Sequence, residues 1–181
     1  MSRKWSVLLA LAVLIILGGG FLFVSRQFKT KKEFFDALAP DALKLESETG
    51  IHPRITLTQA AHESGFGTST LALTFHNLFG IKAGSKWMGP IAHLPTKEEI
   101  AGQTIKVADY FRAYPTYLAS MRDWATFLVN NYPQAYAAAQ AGDIKRFADG
   151  LRKGKYGAYA TDSQYATKLV RVYDEIGGLV A

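Results

Sequence analysis

The sequence predicts an α+β fold, mainly α, in which a helical lobe carries a small β-hairpin lobe and an N-terminal transmembrane helix precedes both. Three patterns predict it. Apolar residues recur at helical spacing over residues 31–66 and again from Thr116 onward; glycine-punctuated segments of β-type composition fill residues 83–113; and no charged residue occurs between Trp5 and Ser25.

The uncharged run comes first in the chain. It holds 21 residues, nearly all apolar, bracketed by Arg3-Lys4 and Arg26, and about 20 residues rising ~1.5 Å each suffice to cross a bilayer. A cleaved signal peptide would have a shorter apolar core and an Ala-x-Ala-like site, whereas this run ends Gly18-Gly19-Gly20-Phe21-Leu22-Phe23-Val24-Ser25. The expectation is an uncleaved anchor over residues 1–29 and one domain over residues 30–181. Arg26, Lys29, Lys31 and Lys32 outnumber the basic residues before the span, a bias toward a cytoplasmic C-terminal side.

The domain elements follow in order. From Lys31 to Glu48, Phe34, Phe35, Leu38, Leu43 and Leu45 keep broadly helical spacing across Pro40, giving two short helices or one kinked helix. Pro53 reads as closing a loop, and Thr56-Leu57-Thr58-Gln59 as a capping box whose helix runs to about Phe66, stopped by Gly65 and Gly67. Gly84, Gly89-Pro90 and Gly102 punctuate short segments such as Thr104-Ile105-Lys106-Val107, which suit an antiparallel hairpin. Helical spacing then returns in Leu118–Asn131, Tyr132–Ala141, Asp143–Lys153 and Ser163–Ile176.

Charge and composition exclude several functions. The net charge of +6 falls to +2 once Arg3, Lys4, Arg26 and Lys29 are set aside with residues 1–29, which hold no acid. The remaining charges are mixed and scattered, so no basic face for nucleic acid is expected. There is no cysteine, hence no disulfide framework and no thiolate metal site. His62-Glu63 opens like the zinc motif His-Glu-x-x-His, but Phe66 stands where the second His belongs, and His52, His76 and His93 fall in other elements. Neither a catalytic metal nor a cofactor is expected.

Glu63 is the residue to explain. At ~100° per residue, Leu57, Ala60, Ala61 and Ser64 define the inward stripe of its helix, and Glu63 lies just beside that stripe with Gln59 and Phe66. Burial against Phe66 and Phe79 should raise its pKa, as should its place in the last turn, where the helix dipole disfavours an anion. The dipole contributes ~0.3–1 kcal/mol, less than the ~1.36 kcal/mol of one pKa unit, so burial has to dominate. A carboxylic acid protonated near neutral pH is what glycoside hydrolysis requires to protonate the leaving oxygen. A helix glutamate without such neighbours would be an ordinary solvated side chain.

The neighbours belong to a larger pattern. Gln59-Ala60-Ala61-His62-Glu63-Ser64-Gly65-Phe66-Gly67-Thr68-Ser69, then Asn77-Leu78-Phe79-Gly80-Ile81-Lys82, Phe111-Arg112-Ala113-Tyr114 and Tyr159-Ala160-Thr161-Asp162 occur in that order. Over about residues 51–178 the sequence closely resembles the glucosaminidase family of bacterial cell-wall hydrolases. The resemblance implies a lysozyme-like helical lobe, a β lobe across a cleft, and hydrolysis of peptidoglycan between N-acetylglucosamine and N-acetylmuramic acid, with Glu63 as general acid. It also implies a second acidic residue in the β lobe, where Thr96-Lys97-Glu98-Glu99-Ile100-Ala101-Gly102 offers two candidates and spacing back from Gly102 favours Glu98. Tyr159 resembles the family tyrosine that lines the site near the acid, although the family's preceding glycine is Ala158 here.

Aromatic residues in or beside these motifs, Phe66, Phe79, Trp87, Tyr114 and Tyr159, suit stacking on the apolar faces of sugars. Asn77 is a candidate partner for an acetamido group. Trp124, Phe127 and Phe147 sit at helical spacing and read as core. Two other functions fit the same fold: a lytic transglycosylase, from which the Asn77 to Lys82 motif sets this sequence apart, and a catalytically silent glycan-binding module. Because murein lies outside the cytoplasmic membrane, the resemblance implies a single-pass inner-membrane protein with its catalytic domain in the periplasm or envelope, against the charge bias.

Overall fold

The structure, a computed structural model, describes residues 14–17, 21–24, 27–100 and 103–177, with side chains for residues 27–94 and 109–177. The expected transmembrane helix is not what it describes. Within the apolar run, β1 (Leu14–Leu17) and β2 (Phe21–Val24) pair antiparallel, Leu14 opposite Val24 and Leu17 opposite Phe21. Between them stand three glycines, each costing a helix about 1 kcal/mol relative to alanine, while the flanking Ile, Phe and Val favour strands. No helix among the described residues is long and apolar enough to cross a membrane. The rest of the run lies outside the described residues.

The helical lobe is built around α2 (Pro53–Ser64). Before it, α1 (Lys31–Thr49) is one continuous helix through Pro40, capped by the Thr30 hydroxyl at the Glu33 N–H and ended by Gly50 at φ 74°. The expected capping box is displaced. Proline fits the first helical turn, where its missing N–H would be unpaired anyway, so Pro53 opens α2 and His52 caps it, its Nδ1 accepting from the Arg54 N–H at 3.2 Å. Thr56 therefore falls inside the helix, fully buried. Residues Ile55 to Ala61 are all buried, as is Ser64, and α1 and α7 (Tyr165–Gly177) both pack on α2. The predicted inward stripe is part of this surface, but α2 is sheathed well beyond it.

The remaining elements are α3 (Thr70–Phe75), a short helix not expected from the sequence, the hairpin β3 (Ile91–Ile100) and β4 (Gln103–Arg112), and α4 (Tyr117–Asn131), α5 (Pro133–Gln140) and α6 (Ile144–Leu151). The hairpin runs from Ile91 opposite Arg112 to Ile100 opposite Gln103. The core of the helical lobe gathers Phe34, Phe35, Phe79, Trp124 and Phe147, with Phe79 stacked on Trp124 at 4.7 Å and 7°. A smaller apolar cluster of Phe75, Ala92 and Ala113 ties the root of the hairpin to α3.

Candidate active site

Helix α2 ends in an unusually tight turn. Gly65, Phe66 and Gly67 all take left-handed φ values of 59°, 57° and 74°, and the N–H groups of Gly65 and Phe66 both donate to the Ala61 carbonyl. Glycine adopts such angles freely, whereas Phe66 does so at a steric cost. The Ser64 hydroxyl holds the turn, donating to the Ala60 carbonyl at 2.5 Å and accepting from the Gly67 N–H at 2.8 Å. A side chain at position 67 would strike Phe28 and Phe34. The Glu-Ser-Gly-x-Gly run thus stops the helix one residue after Glu63 and leaves that carboxylate at the helix end.

There Glu63 opens onto a cleft of ≈ 360 Å³ shared with Phe79, Lys82, Phe127, Tyr132 and Tyr159. Its Oε1 accepts a 2.6 Å hydrogen bond from the Tyr165 hydroxyl. Burial raises the carboxyl from the ordinary 4.5 to about 7, against the hydrogen bonding of Tyr165 and Gln59, which favours the anion. Below about pH 7 Glu63 is accordingly a neutral acid facing an aromatic cleft. Lys82 forms an ion pair with Asp109 of β4, while the Ala83 N–H donates to the Tyr110 carbonyl and the Arg112 N–H to the Ile81 carbonyl. The segment after Phe79 is thereby laid along β4, joining the hairpin to the cleft wall.

The sequence-proposed residues separate into groups. Glu63, Phe79 and Tyr159 come together. Tyr159 donates to the Phe79 carbonyl at 2.9 Å, and burial pushes its phenol well above the usual range. The turn before it places its left-handed residue at Gly157, φ 114°, so position 158 does not need glycine. Phe79 borders the cleft but is only 2% exposed; its ring serves mainly as the floor, stacked on Trp124.

Four candidates face elsewhere. Phe66 turns away toward α1, its ring 6.0 Å from Phe35 and under the Lys31 ammonium at 4.2 Å. Trp87 and Tyr114 lie at the root of the hairpin. The Tyr114 hydroxyl donates to Asp123, which also binds Arg112 through both carboxylate oxygens, and Arg112 lies 4.7 Å over the Trp87 ring. Tyr114 is 2% exposed, so this cluster anchors the hairpin to α4. Asn77 is also buried: its amide donates to the carbonyls of Ile81 and Arg112 and accepts from the N–H groups of Phe79 and Ile81. With every hydrogen-bonding position occupied, it has none to offer a sugar. It is a clamp for the cleft wall, and Asn77→Ala is expected to lose on the order of 2–4 kcal/mol of stability in urea unfolding, from several buried partners left unpaired.

Glu98 and Glu99 occupy consecutive positions of β3, opposite Ile105 and Thr104; their side chains lie outside the described residues. Sequence reasoning missed Tyr132, Phe127 and Tyr165. Phe127, read as core, is half-buried and meets the Tyr159 ring edge-on at 6.2 Å on the cleft side. No group of three His, Asp or Glu residues suited to a metal occurs among the described residues.

Known proteins share this fold. A family model described as Glucosaminidase, mannosyl-glycoprotein endo-beta-N-acetylglucosaminidase, matches residues 39–177. The peptidoglycan hydrolase FlgJ of Pseudomonas aeruginosa is 35% identical over 149 residues, covering 80% of this chain and 36% of that protein. The exo-glucosaminidase LytG of Bacillus subtilis is 32% identical, over 83% of this chain and 53% of its own length. The chain thus spans about a third to a half of these curated relatives. The structure of a C-terminally truncated glycoside hydrolase domain from Salmonella typhimurium FlgJ superposes with a TM-score of 0.66 at 31% identity, over 82% of this chain and 99% of that one.

Proposed function

The chain belongs to the glucosaminidase family, and from that membership we propose that it is a peptidoglycan hydrolase, cutting the β-1,4 bond between N-acetylglucosamine and N-acetylmuramic acid. The observation that carries the reading is Glu63 itself: a carboxyl with its pKa raised to about 7 by burial, at the end of α2 in a cleft walled by aromatic side chains. Such an acid is largely protonated below about pH 7 and passes its proton to the leaving glycosidic oxygen as the C–O bond breaks. The neighbouring phenol of Tyr159 stays neutral and steers the sugar without competing for the proton. A second carboxylate, assigned to Glu98, completes the site from the hairpin. The reading is tested on purified sacculi: the wild-type protein releases soluble muropeptides, and release by Glu63→Gln at the same rate would overturn it.

The substrate lies outside the cytoplasmic membrane. We propose that the catalytic domain works in the periplasm or envelope. Protease added to spheroplasts should digest the catalytic domain; a protected domain would place it on the wrong side.

A further inference from the structure

Behind Glu63 runs a buried hydrogen-bond chain with no exposed member. The Trp124 Nε1–H donates to Gln59 Oε1 at 3.0 Å, Gln59 Nε2 donates to the Tyr165 hydroxyl oxygen at 3.1 Å, and that hydroxyl donates to Glu63 Oε1 at 2.6 Å. Trp124 and Gln59 are each 0% exposed and Tyr165 6%. An indole N–H can only donate, so it fixes which end of the Gln59 amide faces it. The amide nitrogen is then aimed at Tyr165, whose single proton is left to point at Glu63. Each link determines the direction of the next.

Resting on the reading of Glu63 as general acid, we propose that Trp124, Gln59 and Tyr165 form a one-way relay that keeps the catalytic proton on Oε2, the oxygen presented to the glycosidic bond. Oε1, already accepting from Tyr165, is held as the carbonyl-like oxygen. Gln59, behind Tyr165, also contributes hydrogen bonding that favours the Glu63 anion. When the proton leaves, the Tyr165 bond becomes a charge-assisted one to a carboxylate and strengthens, so it favours the product side of proton transfer. Tyr165 touches the acid and not the sugar: it is a positioning residue.

Other titratable groups face the same carboxyl. Tyr159, Tyr132 and Lys82 line the cleft with it; His62 precedes it on α2, packs edge-on against Tyr165 at 5.1 Å, and interacts electrostatically with Lys168 and Asp162. Burial pushes all three phenols, Tyr132, Tyr159 and Tyr165, upward, so they stay neutral through the working range. His62 is held below its usual value, first by burial, and is the group most easily mistaken for Glu63 in a titration.

The test is the full protein labelled with ¹³C at glutamate side chains, with the Glu63 resonance identified by its absence in Glu63→Gln. Removing a bond that favours the anion raises the pKa, so Tyr165→Phe should move the Glu63 titration up by about one to two pH units. The alkaline limb of the activity profile should follow it, with turnover at the optimum reduced about tenfold. Gln59→Met, which frees the hydroxyl to rotate, should shift both in the same direction by less, and carries the test if Tyr165→Phe does not fold. An unmoved or lowered Glu63 titration in both variants overturns the relay even where Glu63→Gln is inactive. An alkaline limb that moves in His62→Gln instead assigns that limb to His62 and also overturns it. Full activity of Glu63→Gln would fail the general-acid reading itself, a separate outcome.

Discussion

Replacing Glu63 with glutamine should leave a folded protein that turns over peptidoglycan at 10²- to 10⁴-fold below the wild-type rate, about the contribution of a positioned general acid. The amide fills the same space and can accept from Tyr165, but it carries no transferable proton. A second readout comes from stability. The folded carboxyl titrates at about 7 and an ordinary one at 4.5, so between these values the unfolded chain has released a proton that the native state still holds. Stability contributed by the protonated form is therefore full below about pH 4.5 and is lost as pH rises toward 7. Glu63→Gln escapes that loss: its unfolding free energy should exceed that of wild type at pH 8 by on the order of 3 kcal/mol, with a higher melting temperature, and the two should match near pH 4. Equal melts at both pH values would contradict the burial argument.

The second large effect is expected in the hairpin. Strand alternation groups Glu98 with Ala92 and Leu94, the positions that pack on the Phe75 cluster, and Glu99 with the exposed His93. That register makes Glu98 the expected second carboxylate. Glu98→Gln should reduce turnover by two or more orders of magnitude, as for other paired carboxylates, while Glu99→Gln stays near wild type. Steady-state rates on sacculi decide it. Two near-wild-type variants would remove Glu98 from the mechanism and leave the substrate's own acetamido group as the nucleophile, one of the exceptions to the two-carboxylate scheme.

Much of this architecture could be read from the residues, and the failures have physical causes. The helices from α4 to α7 follow apolar spacing within a residue or two at most ends, and the hairpin follows its glycines. The start of α2 did not, because a histidine acts as its cap, outside the usual Ser, Thr, Asp and Asn set, and Pro53 can open a helix as well as end a loop. The apolar run ahead of the domain has the length of a membrane helix, yet its described parts are strands flanking Gly18-Gly19-Gly20. Aromatic residues were the least legible part of the site. Phe127 and Trp124 share helical spacing on α4, and only the packing of the 159 region puts one beside the cleft and the other beneath it. Tyr165 reaches Glu63 across 102 positions of sequence, a pairing that local periodicity does not contain. Asn77 and Tyr114 stood in the right motifs, but tertiary hydrogen bonds occupy them.

The central claim is that Glu63 drives hydrolysis of the bond on the reducing side of N-acetylglucosamine. Mass spectrometry of the fragments released from purified murein tests it most directly. The account predicts reducing-end N-acetylglucosamine with one water added per cut, at a rate about 10²- to 10⁴-fold lower from Glu63→Gln. Fragments ending in 1,6-anhydro-N-acetylmuramic acid would instead identify a lytic transglycosylase and contradict it.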